Sequence, residues 1–140
     1  MDGCYFAKDM YHHDDEPNFS SFAAALRKGN KDAIVALNEG VLTPVRPQSA
    51  EEDYTAGEIA NDFYVYPIKE KVQDAQFHIL TYMGDTWGIG EPRLDDGLFV
   101  GYTKHIIDRG GVISWDTPIT HDGHIPGPFI NQLSLLRRLR

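Results

Sequence analysis

The hydrophobic period of this chain changes near Phe63, and that change restricts the available folds more than any motif does. Four later segments, FYVYPIK (63–69), AQFHILTYM (75–83), LFVGYTKHII (98–107) and GVISW (111–115), are rich in the aromatic and β-branched residues that suit strands. Turn residues separate them at Gly84-Asp85, Asp95-Asp96-Gly97 and Asp108-Arg109-Gly110-Gly111. Links that short imply antiparallel pairing.

Before the change, the pattern is helical. Ser20 or Ser21 is the expected N-cap of FAAALRKG, and Gly29-Asn30 stops it. A second helix is expected from Asp32 to Gly40, followed by an extended connection through Pro44 and Pro47. SAEEDYTAGEIAND (49–62) carries a serine followed by acids, a third helix start with Tyr54, Ile59 and Phe63 on its face. Pro128 opens a closing helix in which Phe129, Ile130, Leu133, Leu136 and Leu139 fall at helical spacing, with Arg137, Arg138 and Arg140 at its end. The expected fold is therefore α+β: N-terminal helices on one face of a mainly antiparallel sheet of about four to five strands, closed by a C-terminal helix. At 140 residues one domain over 1–140 is the default, with residues 1–18 (Tyr5, Phe6, Met10 and Tyr11 available to pack) as a loose arm or an edge strand.

The stretch FAAALRKGNKDAIVAL, within about the first 37 residues, resembles the opening helix of the cone-shaped α+β domains similar to nuclear transport factor 2. That resemblance rests on composition; it implies a pocket and transfers no catalytic residue.

Charge narrows the function classes. Thirteen basic against 21 acidic residues give a net charge of -8, which opposes the phosphate neutralisation that nucleic-acid binding needs. The single cysteine, Cys4, excludes an intrachain disulfide and fits a reducing compartment. The first residues lack a basic start and an apolar run, and no stretch approaches the ~20 apolar residues of a membrane helix. A cytoplasmic protein is expected, bound to neither membrane nor nucleic acid, with no cofactor and no metal.

Three places carry candidate chemistry. In THDGHIPGP (120–128), His121, Asp122 and His124 lie close in sequence, yet an extended loop points neighbours to opposite faces, and Asp122-Gly123 is a favoured turn pair. On the strand reading, His78 shares a face with Leu80 and Tyr82, and His105 with Phe99 and Ile107. Either is a candidate acid/base, with Asp85, Asp108, Asp116 or Asp122 available to fix its tautomer. The third place, MGDTWGIGEPRLDDG (83–97), lacks the lysine and hydroxyl of a phosphate cradle and presents Trp87 on a glycine-flexed loop. Cys4 and Ser114 make weak nucleophiles: Cys4 has no histidine before His12, and Ser114 sits in a strand without a strained turn.

The leading expectation is a small acidic protein that inhibits or neutralises a protein partner with a basic surface, as immunity proteins and phage antagonists do. Trp87, Asp95, Asp96, Asp14 and Asp15 would form its contact surface. The alternative is a small pocket enzyme (a hydrolase, isomerase or lyase) with His78 or His105 as acid/base and the 121–124 loop at its mouth. The C-terminal helix is the candidate surface for a homodimer.

Overall fold

Asn18 starts the first helix. Its side chain accepts from the Ser21 amide while the Ser21 hydroxyl accepts from the Asn18 amide, a reciprocal cap that satisfies two free donors of α1, Phe19–Arg27. Ser21 thus serves three residues inside the cap, two or three positions from where the serines alone would place it. This computed structural model describes Met1, residues 11–60 and residues 63–139. Cys4, Tyr5, Phe6, Met10 and Arg140 lie outside the described residues, as does most of the expected edge strand.

The second and third expected helices do not form. Ile34-Val35 is a β-branched pair, and the backbone after it bonds to a distant segment instead of to itself. Val35 N–H donates to the Asp53 carboxylate at 2.7 Å, Leu37 N–H donates to Glu52 at 2.9 Å, and Val35 C=O accepts from the Asp53 amide. Glu52 is buried and also accepts from the amides of Gln48 and Ser49, so the run of acids read as a helix start is a strap holding three pieces of loop together.

The expected sheet is also corrected. Residues 63–69 form no strand. Lys71–Val72 (β1) and Ala75–Gln76 (β2) make a short antiparallel hairpin, turned by Gln73 and Asp74 at positive φ. His78–Tyr82 (β3) and Val112–Asp116 (β4) pair in parallel, His78 opposite Val112 and Tyr82 opposite Asp116. Parallel neighbours need a long crossover. The segment read as a third strand supplies it: Asp96–Ile107 is a helix, α2. Asp95 caps it by accepting from the Leu98 amide at 2.8 Å, and Phe99, Tyr102, Thr103 and Ile106 are buried at i, i+3, i+4 and i+7. The described strands thus form two sheets of two strands each, in a chain that is still broadly α+β. Of the stretch that resembles an opening helix only the part within Phe19–Arg27 is helical, and the described strands form two small sheets, not the curved sheet of a cone-shaped domain.

Residues 54–58 lie parallel beside β3, with bridges from Tyr54 to Gln76 and from Glu58 to Leu80. Thr55 repairs the ladder where the two do not run evenly: its hydroxyl donates to His78 C=O at 2.8 Å and accepts from His78 N–H at 2.9 Å. Gly57 is in the left-handed region (φ 63°), and a Cβ there would stand 1.9 Å from the His78 carbonyl oxygen.

The two faces of β3 have different fates. Ile79 packs with Tyr102 and Ile106 of α2 and with Ile59, Tyr64 and Phe77 in the main core. A second cluster joins Met83, Phe99 and Trp115 to Phe129 of α3, Gly127–Leu135, which carries Pro128 in its first turn as expected and tightens into a 3₁₀ turn over Leu136–Leu139. His78, Leu80 and Tyr82 alternate onto the opposite face, which α2 does not cover. Among the described residues no helix is long and apolar enough to cross a membrane.

Candidate functional site

On that opposite face lies a cleft of about 430 Å³. Tyr54 and Glu58 reach it from the segment beside β3, His78 and Leu80 from β3, Asn38 from the extended run after α1, and Trp87 from the loop that follows β3. Sites in parallel sheets gather beyond the carboxyl ends of the strands, where the loops can vary without disturbing the ladder. Trp87 occupies such a loop.

The loop is firmly held. Thr86 and Ile89 exchange backbone hydrogen bonds around Trp87 and Gly88, and Gly88 takes the positive φ (65°) that the turn requires. Gly88 N–H donates to the Asp116 carboxylate at 2.6 Å, which ties the turn to the end of β4. Arg93 closes the base of the loop: its Nε donates to Tyr82 C=O at 2.8 Å, its Nη2 donates to the Thr81 hydroxyl, and its guanidinium lies 4.3 Å from the Tyr82 ring centre. Tyr82 in turn meets Trp87 edge to face at 4.9 Å. Trp87 is left half-buried, with its indole N–H meeting no acceptor among the described residues.

Glu58 and Asn38 form the polar part. Asn38 Nδ2 donates to Glu58 Oε2 at 2.8 Å, leaving the other carboxyl oxygen without a partner among the described residues. His78 sits behind them, nearly buried. Its Nδ1 lies 2.9 Å from Thr55 C=O, which can only accept, so Nδ1 carries the proton and Nε2 accepts from the Ser114 hydroxyl at 2.8 Å. Burial pushes its pKa below the ordinary histidine value of 6.5, partly offset by backbone carbonyls. A neutral imidazole with both nitrogens engaged positions strand and wall; it is not a free proton carrier. The serine–histidine contact has the spacing of a nucleophile and base, but Ser114 does not line the cleft.

The remaining sequence candidates disperse. His105 is exposed on α2, where it lines a separate groove of about 720 Å³ with Phe63, Leu98 and Asp95. His121, Asp122 and His124 occupy an exposed turn in which the Thr120 hydroxyl meets Asp122 and the Asp122 carboxylate pairs with His124 Nδ1 at 3.0 Å. The Thr120 hydroxyl holds the Asp122 carboxyl below its usual range. That turn is a self-contained motif, the backbone role that its Asp-Gly pair suggests. Asp95 spends its carboxylate on capping α2, Asp96 is exposed in the first turn of that helix, and Asp14 and Asp15 are exposed ahead of α1. Of the candidates, His78 and Trp87 share the cleft beside β3, and His105 and Asp95 share the groove along α2. Among the described residues no group of three His, Cys, Asp or Glu side chains is placed to hold a metal ion.

Solved structures share this architecture. The chain superposes on an endo-fucoidan hydrolase from glycoside hydrolase family 107, MfFcnA4, at 23% identity and a TM-score of 0.66, and on a variant of that enzyme at 22% identity and 0.68. In both cases 84% of this chain matches, spanning 22% of the hydrolase chain. At such identity the likeness is one of fold. No family model and no curated protein matches the sequence. The likeness nonetheless overturns the leading expectation, because the architecture is one found in glycoside hydrolases, and neither an inhibitor nor an immunity protein is among the matches. Tyr54, Glu58 and Asn38 are the site residues that the sequence reading missed. Their signal was weak, since Tyr54 and Glu58 sat in an apparent helix and Asn38 in an apparent helix end.

Proposed function

We propose that this chain contributes a glycan-binding cleft to a glycoside hydrolase-like protein. The cleft holds one sugar ring, with Trp87 as the platform and Glu58 and Asn38 as the hydroxyl-reading pair. The observation that carries this reading is the pairing of a half-buried tryptophan with a carboxylate that keeps one oxygen free, in one cleft at the loop end of parallel strands. An aromatic face is weakly negative and favours the C–H side of a pyranose ring, while a carboxylate and an amide together match the alternating donors and acceptors of adjacent hydroxyls. The fold likeness to endo-fucoidan hydrolases supports the same assignment. Hydrolysis of a glycosidic bond uses two carboxyl groups flanking it. Among the described residues lining the cleft only Glu58 supplies one, so binding is the activity assigned to this chain.

Isothermal calorimetry against a panel of short oligosaccharides tests the proposal. Saturable binding that weakens at least about tenfold in Trp87→Ala, with the fold intact by circular dichroism, is the expected result. Binding unchanged in that variant, or absent across the panel, contradicts it.

A further inference from the structure

We infer that Ser114 is a nucleophile that takes an acyl group from a carboxylic ester, with His78 as its base. This goes beyond the glycan reading above and does not rest on it.

Among the described residues β4 pairs on one side only, with β3. Val112 N–H donates to Phe77 C=O, and Asp116 C=O accepts from Met83 N–H. In a parallel ladder of that register the backbone groups of Val112, Ser114 and Asp116 face β3, while those of Ile113 and Trp115 face the open edge. Ser114 is therefore exposed without the strained turn that presents a serine in other folds. Its Oγ donates to His78 Nε2 at 2.8 Å, the reach of a nucleophile and its base. Thr55 C=O, 2.9 Å from Nδ1, fixes the tautomer in which Nε2 accepts. The Trp115 N–H, one residue on, meets no acceptor among the described residues and is the donor available to an oxyanion.

In the acylation step Ser114 Oγ bonds to the ester carbon as its proton crosses to His78 Nε2. The proton travels no farther than the existing hydrogen bond. Collapse of the tetrahedral intermediate breaks the bond to the leaving oxygen, which takes that proton, and a neutral His78 remains beside acyl-Ser114. The imidazolium formed in between has a carbonyl at Nδ1 where a catalytic triad has a carboxylate, so it is less well stabilised. Esters with good leaving groups, such as phenyl esters, are accordingly the class that reacts.

Incubation of the chain with p-nitrophenyl acetate, followed by digestion and mass spectrometry, tests the proposal. Ser20 and Ser134 are exposed serines whose hydroxyls donate to Glu51 and to the Asn131 carbonyl, and they serve as internal references. Acetyl-Ser114 is expected to form at least about tenfold faster than either, and at least about tenfold faster than in His78→Gln shown to be folded by circular dichroism. Acetylation of Ser114 no faster than that of Ser20 and Ser134 overturns the proposal, whether or not the variant folds. A rate at Ser114 that a folded His78→Gln leaves unchanged overturns it as well.

Discussion

Thr55 and Gly57 decide how near the 54–58 segment comes to β3, and with it where Glu58 stands. Gly57→Ala brings a Cβ onto the His78 carbonyl in a conformation that non-glycine residues resist, so a loss of about 3 kcal/mol or more is expected in denaturant unfolding. His78 sets a pH dependence. Its folded-state pKa is depressed, so its contribution to stability is complete above about 6.5 and declines as the pH falls through the lower native value. Glu52 works in the opposite direction, since burial raises its pKa and its ionised form is the costly one. Comparing the wild type with His78→Gln isolates the histidine: the wild type is expected to lose more stability between pH 7 and pH 5 than the variant does. Equal slopes would show that His78 already titrates as it does in the unfolded chain. At this scale His78 and Trp87 were visible in sequence because each is unusual in its segment. Glu58 looked like one more acid on a solvated helix, and only the pairing of Leu80 with its backbone reveals where it points.

Among the elements, α2 shows why a period can be misread. LFVGYTKHII contains the β-branched and aromatic residues of a strand, yet Phe99, Tyr102, Thr103 and Ile106 also satisfy helical spacing, and the Asp95 cap was the deciding signal. Asp95→Ala is expected to cost about 1 kcal/mol in thermal unfolding, and Asp95→Asn, which can still accept from the Leu98 amide, much less. The 83–95 loop depends on Arg93 in a way that charge alone does not provide. Arg93→Lys keeps the charge but loses the planar group that stacks on Tyr82 while its Nε and Nη2 reach two separate acceptors. It is expected to free Trp87 and weaken oligosaccharide binding several-fold with little change in overall stability; unaltered binding would show that Gly88 and Asp116 alone hold the loop. The closing helix was legible because Pro128 and the leucine spacing agree. The segments at 32–40 and 51–62 were not, because side-chain carboxylates from Glu52 and Asp53 satisfy backbone groups that a helix would otherwise satisfy.

Across the whole molecule, the broad α+β class was readable from the change of pattern, but the direction of the strands was not. Parallel pairing depends on a crossover, and the helix that makes this one had been read as a strand, so the short apparent links suggested hairpins. The same error concealed the site, since only a parallel arrangement brings the loops after β3 and β4 to one end and allows Asp116 to hold the Trp87 turn. That end of the sheet is where a glycan is proposed to bind. A two-dimensional ¹⁵N nuclear magnetic resonance titration of the 140-residue chain with a neutral oligosaccharide tests it most directly. The Trp87 indole N–H and the Glu58 amide are expected to shift together and saturate, while the Trp115 indole, bonded to the Thr103 hydroxyl beneath the sheet, stays in place. Shifts confined to the 120–124 turn or to the groove along α2, with Trp87 unmoved, would contradict it.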